Sequence, residues 1–263
     1  MCISQSVGAK GVNDERDVKA VQLLLNMNLG RLIPLGPLSV DGAMGPGTRG
    51  AIEEFQRRVL KMPKPDGRVD PNGQTLKELK KGIPSDLTEE KLRAVLIGAT
   101  RTEIQKYSAA LKSQMITNRI NTQLRQAHFL AQIGHESGDL RYSEEIASGA
   151  AYEGRADLGN TQPGDGIRFK GRGLIQLTGR DNYKAYGAAR SKDFTTGENP
   201  KQIATNPVLA VDVACWFWTD NGLNELADND NIMQITKVVN GGYNGLPERK
   251  ARLARAKCFL GLA

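Results

Sequence analysis

Apolar residues recur at helical spacing along most of the chain. Val18, Val21, Leu24 and Leu25 form a first amphipathic stripe behind Asn13, a residue suited to capping it. Thr48, Ile52, Phe55 and Val59 form a second, with Pro46 where a first-turn proline is tolerated. Leu76 and Leu79 predict a short third helix. Two similar turns separate them: Asp41-Gly42-Ala43-Met44-Gly45-Pro46-Gly47-Thr48 and the longer Asp66-Gly67-Arg68-Val69-Asp70-Pro71-Asn72-Gly73-Gln74-Thr75. Each is an Asp-Gly turn leading into a helix, so this stretch reads as a weak internal repeat folded into a small three-helix bundle.

The pattern then breaks. Lys80-Lys81-Gly82-Ile83-Pro84-Ser85-Asp86 combines helix breakers with charge, and Leu87-Thr88-Glu89-Glu90 restarts a helix with acidic residues in its first turn. This predicts a first domain over 1–82, a linker over 83–88 and a second domain over 89–263. Helical patterns run through Leu92, Val95, Leu96 and Ala99, through Ile104, Tyr107 and Leu111, and over 122–137, 207–220, 231–239 and 247–260. Glycine-rich loops and short extended pieces fill 148–180. The second domain is therefore expected to be mainly α with a little β, an α+β arrangement following the helical bundle.

Composition narrows the function classes. The formal net charge is +7, divided +4 through Ser85 and +3 beyond it, with no nucleic-acid-binding motif. Such a diffuse positive surface suits a polyanionic partner such as a cell envelope, and equally simple solubility. No apolar run approaches the ~20 residues of a membrane span, and the first residues lack the apolar core of a secretory signal. The three cysteines, Cys2, Cys215 and Cys258, cannot all pair. They are expected to be reduced, in a monomer made in a cytosol.

Candidate chemistry begins at Ala127-His128-Phe129-Leu130-Ala131-Gln132-Ile133-Gly134-His135-Glu136-Ser137-Gly138. Gly138 is a helix stop, which places Glu136 in the last turn, where the carbonyl end of the helix disfavours an anion. A carboxyl kept protonated there suits a general acid for glycosidic cleavage; a solvated glutamate in a frayed turn is the plain alternative. His135-Glu136 opens like a zinc-protease motif, but no second histidine follows four residues on, and Asp228-Asn229-Asp230-Asn231 lacks the rest of a calcium loop. No metal and no cofactor are expected. Glu144 and Glu145 follow the Ser137-Gly138 break and offer a second carboxylate, whose separation from the first would distinguish inversion from retention. In Phe169-Lys170-Gly171-Arg172-Gly173-Leu174-Ile175-Gln176-Leu177-Thr178-Gly179, alternation predicts a strand with Gln176 and Thr178 on one face and Ile175 and Leu177 on the other. Either a polar cleft wall or an ordinary half-buried hairpin strand fits. Asn240-Gly241 reads as a helix C-cap or as an amide facing sugar hydroxyls.

Two resemblances join these pieces. Asp17-Val18-Lys19-Ala20-Val21-Gln22-Leu23-Leu24-Leu25-Asn26, Val40-Asp41-Gly42, Gly45-Pro46-Gly47-Thr48 and Ala51-Ile52 with Phe55-Gln56 resemble the peptidoglycan-binding domain of cell-wall hydrolases over about 8–82. AHFLAQIGHESGDL, FKGRGLIQLTGRDNY and VNGG followed by Arg249 resemble glycoside hydrolase family 19, the chitinase-like lysozymes, over about 90–260. The resemblance is especially to endolysins of phages that infect Gram-negative bacteria.

That likeness implies a mainly α, lysozyme-like two-lobed catalytic domain and an inverting mechanism. Carried over by position, Glu136 would be the general acid, Glu145 the general base with Glu144 as the alternative, and Thr178 the residue orienting water. Gln176, Asn182, Asn240 and Arg249 match substrate-binding positions. Tyr243-Asn244-Gly245 departs from the plant chitinase pattern, as does the short spacing between the two glutamates. The implied activity is that of a lysozyme (muramidase), hydrolysing the β-1,4 bond between N-acetylmuramic acid and N-acetylglucosamine. It would act on bacterial peptidoglycan and need holin lesions to leave the host cytoplasm, with no nucleic-acid partner and no membrane insertion. The rivals are a chitinase, a lytic transglycosylase leaving anhydro ends, and a non-catalytic wall-binding protein.

Overall fold

Caps and breakers set the helix boundaries. The computed structural model describes residues 1–262. Asp14 accepts hydrogen bonds from the N–H groups of Arg16 and Asp17 and starts α1 (Glu15–Met27). Asn13 does not cap: it takes a left-handed φ of +58°, and its amide donates to the carbonyls of Gly8 and Gly11 to close the preceding turn. Pro46 opens α2 (Pro46–Arg58), and α3 (Gln74–Lys80) follows the second Asp-Gly turn. A two-stranded antiparallel ladder pairs β1 (Val7–Gly8) with β2 (Arg68–Val69), Val7 opposite Val69. Gly8 is required there, because a Cβ would lie 2.1 Å from the carbonyl oxygen of Gly67.

The internal repeat has a physical cause that only the fold reveals. Gln22 on α1 is buried, and its Nε2 lies 2.8 Å from Asp41 Oδ1, 3.1 Å from Thr48 Oγ1 and 3.2 Å from the Ala43 carbonyl. Its Oε1 accepts the Gly42 N–H at 3.0 Å. Gln56 on α2 repeats the arrangement with Asp66 (2.6 Å), Thr75 (3.1 Å), the Arg68 carbonyl (2.9 Å) and the Gly67 N–H (2.9 Å). Each glutamine side chain thus binds the Asp-Gly turn and the threonine that begins the next helix. Buried amides demand such partners, which is why the Asp, Gly and Thr recur together.

Two compact units result: Met1–Gly98 with the chain from Ala251 onward, and Ala99–Lys250. This differs from the division at 83–88. Helix α4 (Glu89–Val95) packs on α1, with Leu92 and Val95 buried and Lys91 Nζ donating to the Ser85 carbonyl, so the breaker run turns the chain without ending the unit. The last helix also returns to the first unit, where the Met1 amine donates to the Ala254 carbonyl and Cys2 is disulfide-bonded to Cys258 across a Cα separation of 5.3 Å. The expectation of fully reduced cysteines is therefore corrected. An odd count excludes complete pairing but carries no information on whether the chain ends meet. Cys215 is the remaining free thiol, buried.

The second unit contains α5 (Arg101–Thr117), α6 (Gln123–Glu136), α7 (Asp165–Arg168), α8 (Arg180–Ala189), α9 (Gln202–Thr205), α10 (Pro207–Asp220), α11 (Leu223–Asp228), α12 (Ile232–Asn240) and the first turn of α13 (Leu246–Phe259). Helix α10 is its axis, packing on α5, α9 and α11, while α6 packs on α11 and α12. Phe129 of α6 meets Trp218 of α10 edge-on at 5.4 Å. Phe169, Tyr183, Tyr186, Phe194 and Trp216 form a second aromatic cluster beneath the loops. The strand expected over 174–178 is instead a tight turn: Arg172 pairs with Leu177 across it, and Gln176 takes φ +57°. The two-faced pattern survives, since Ile175 and Leu177 are buried while Gln176 and Thr178 are half-buried. Among the described residues, no helix is long and apolar enough to cross a membrane.

Replacing Gln56 by Leu keeps the volume but strands Asp66, the Gly67 N–H and Thr75. Chemical denaturation of the full chain should show a loss of about 2–3 kcal/mol in the transition of the first unit. Alkylation of the denatured, unreduced protein should label one cysteine, Cys215, and all three after reduction; mass spectrometry reads the difference.

Candidate functional site

The end of α6 carries the first half of the site. Glu136 is its last residue, and Ser137 closes the helix by donating its hydroxyl to the Ile133 carbonyl (2.6 Å) while accepting the Leu140 N–H (2.9 Å). Gln132 and Glu136 are four residues apart and so share one helix face. Both meet Arg249, from the first turn of α13: one arm of its guanidinium donates to Gln132 Oε1 and the other to Glu136 Oε1. Its Nε donates to the Asn244 carbonyl at 3.4 Å. Arg249 is fully buried, whereas the Glu136 side chain is 17% exposed. The cation thus lies behind the carboxylate and offsets the negative end of the helix, an influence absent from the sequence argument. Gly245, at φ +69°, packs so closely on His135 that a Cβ would lie 2.3 Å from the ring.

Glu145 anchors the second half. Its N–H donates to the Gly171 carbonyl (2.9 Å), and the Gly171 N–H donates back to Glu145 Oε2 (3.1 Å). Tyr152 donates its hydroxyl to Oε1 at 3.0 Å. Burial, reinforced by that hydrogen bond to a carboxylate, pushes the Tyr152 phenol up from its ordinary value, so it remains a donor at neutral pH. Glu144 points elsewhere: Arg172 Nε is 2.9 Å and Lys170 Nζ 3.6 Å from its Oε1. Neighbouring residues in extended backbone face opposite ways, which separates the two candidates. Glu144 is engaged as an ion-pair partner, and Glu145 is held by neutral donors.

The 171–178 turn shapes this half. A Cβ on Gly171 would lie 2.8 Å from Gln176 Oε1, and one on Gly173 (φ +77°) 2.3 Å from Val213 of α10. Gln176 donates to the Gly173 carbonyl at 3.1 Å and stands beside Gly171 and Glu145. Thr178 donates its hydroxyl to the Gln176 carbonyl (2.9 Å), and Asn182 in the first turn of α8 donates to the Thr178 carbonyl (2.7 Å). Arg180 fastens the same turn to Asp165, and that hydrogen-bonded pair holds the Asp165 carboxyl below its usual range.

Tyr142 connects the halves. Its ring lies against Gly138, just past Glu136, and its carbonyl accepts a long 3.5 Å hydrogen bond from Gln176. Asn240 ends α12, exposed, with Gly241 in the left-handed cap conformation. Arg249, expected at a substrate-binding position, has no exposed surface and is bound to Gln132 and Glu136 instead. Sequence reasoning missed Gln132, Tyr142 and Tyr152. Gln132, four residues before Glu136 on the same helix face, carried a signal; the tyrosines carried none. Among the described residues, no group of His, Cys, Asp and Glu is arranged to hold a metal ion.

Comparisons with known proteins agree with this architecture. Residues 121–238 match the family model described as chitinase class I, and residues 14–79 match that described as putative peptidoglycan binding domain. A glycosyl hydrolase family 19 domain-containing protein of Haemophilus influenzae is 31% identical over 201 residues, covering 65% of this chain and 94% of its own. An endochitinase of Arabidopsis thaliana is 36% identical over 116 residues, with 44% of this chain matching 39% of that protein. In three dimensions, chitinase C from Streptomyces griseus aligns with 66% of this chain and 92% of its own at a TM-score of 0.51 and 22% identity. At that identity the likeness is one of fold.

The buried fork can be tested directly. Arg249→Met should reduce glycosidase turnover by about 10²-fold, the scale of losing a correctly held acid–base group. Arg249→Lys should recover only part of it, since a point charge cannot hold Gln132 and Glu136 together. Turnover numbers, with circular dichroism to confirm folding, read both.

Proposed function

The chain belongs to glycosyl hydrolase family 19, and from that premise we propose that it is an endolysin hydrolysing the β-1,4 bond between N-acetylmuramic acid and N-acetylglucosamine in bacterial peptidoglycan. One observation carries the reading: the two differently held glutamates of the family 19 region share a chain with a segment of the peptidoglycan-binding type.

In this mechanism Glu136 is the general acid. Arg249 and the end of α6 fix its Oε1, and Oε2 gives its proton to the glycosidic oxygen as the bond to the anomeric carbon breaks. Glu145 is the general base, its orientation set by Tyr152 and the Gly171 N–H. It takes a proton from the water that attacks the anomeric carbon on the opposite face, inverting its configuration. Thr178 orients that water, and Gln176, Asn182 and Asn240 line the path of the sugar. Arg249 serves as a positioning residue.

In the same reading the enzyme acts for a phage during lysis of a Gram-negative host. It accumulates in the host cytoplasm, crosses the inner membrane through holin lesions and works on the wall. The Cys2–Cys258 disulfide supports a working place outside the reducing cytosol. A chitinase is the second reading, favoured by the chitinase names of several relatives.

Product analysis separates them. On purified peptidoglycan, mass spectrometry should find new N-acetylmuramic acid reducing ends, and proton NMR of early products should show inverted anomers. Anhydro ends would make the enzyme a transglycosylase, and products from chitin alone a chitinase. Glu136→Gln and Glu145→Gln should each lower turnover by at least about 10²-fold while leaving wall adsorption intact.

A further inference from the structure

Beside Glu144, the residue preceding Glu145, lies a cavity of about 470 Å³, within the usual size of a ligand pocket. It belongs to the same unit as the two glutamates and is lined by Glu144 rather than Glu145. Four cations line it, Arg168, Lys170, Arg172 and Lys201, against two carboxylates, Glu144 and Glu198. Ile167, an exposed isoleucine, supplies an apolar wall. The charges are not all spent internally. Arg172 and Lys170 hold Glu144, and Lys201 pairs with Glu198 at 2.6 Å, but Arg168 makes only a long 3.5 Å hydrogen bond to the Thr195 carbonyl. The excess positive field is felt at Glu198, whose carboxyl is held below its ordinary value first by Lys201, with Arg168 and Arg172 adding to the effect.

Resting on the peptidoglycan reading, we propose that this cavity receives a carboxylate of the peptide branch of the substrate and so selects peptide-bearing glycan over neutral polymers. Chitin carries no charge, so a cationic pocket gives it nothing. Peptidoglycan bears a peptide on alternate sugars, with free carboxylates along it. Four extended residues span at most about 14 Å, so a peptide branch reaches well beyond the sugar that carries it. In the cavity the Arg168 guanidinium can take a carboxylate with both arms, Lys201 adds a second cation, and an aliphatic peptide side chain meets Ile167. Lys170 links the cavity lining to Glu145, because its ammonium also donates to the Glu145 carbonyl at 3.0 Å.

The test compares one glycan in two forms: strands with intact tetrapeptide stems, and the same strands after an amidase has removed them. The double variant Arg168→Ala with Lys201→Ala alters exposed side chains outside the proposed catalytic set. It should lose about tenfold or more in kcat/KM on the stem-bearing strands, mainly through KM, and less than about twofold on the stripped ones, a difference the size of one charge-assisted hydrogen bond. Raising the salt concentration should erode the wild-type preference for stems in parallel. Equal effects on both substrates, or none on stem-bearing strands, would overturn the pocket assignment while leaving the peptidoglycan reading standing. Wild-type protein that cleaves neither strand would overturn that reading, and the pocket with it.

Discussion

The buried guanidinium of Arg249 is the constraint on which the catalytic unit depends. A fully desolvated cation is tolerated only when each arm has an acceptor, and here the acceptors are Gln132, Glu136 and the Asn244 carbonyl. Satisfying it forces the end of α6, the 241–245 loop and the start of α13 into one arrangement. Glu136 consequently cannot relax into solvent as a residue at a frayed helix end would. The tight contact of Gly245 with His135 follows from the same closure.

The second carboxylate is held by different physics. Glu145 receives a phenol and a backbone N–H, both neutral donors. The backbone donor is within reach because Gly171 has no Cβ to collide with Gln176. One glutamate therefore sits against a cation and the other against dipoles. Glu144, next to Glu145 in the chain and chemically identical, is instead engaged in an ion pair with Arg172.

The first unit shows how a repeat can be conformational in origin. Gln22 and Gln56 are internal ligands for their Asp-Gly turns, so the recurring Asp, Gly and Thr serve the fold before they serve any binding partner. The same unit gathers the two ends of the chain, with Cys2 bonded to Cys258. Closing so long a loop removes much of the freedom of the unfolded chain, which by the chain-entropy account stabilises the folded state.

Local pattern was enough to determine most of the longer helices, the Asp-Gly turns and the position of Glu136 in the last turn of α6, because periodicity, caps and stops act over a few residues; α8, α9 and α11 were not legible in it. It also determined which faces are buried, so that Ile175 and Leu177 point inward although the strand proved to be a turn. Only the tertiary structure decided what depends on distant partners. Arg249 lies 113 residues from Glu136 and Cys2 lies 256 from Cys258; no local rule brings them together. The same holds for the different partners of Glu144 and Glu145, for Tyr152 as a hydrogen-bond donor, and for the return of the last helix to the first unit. These are set by the packing of elements far apart in the chain, where burial and charge are shared among residues that the sequence keeps separate.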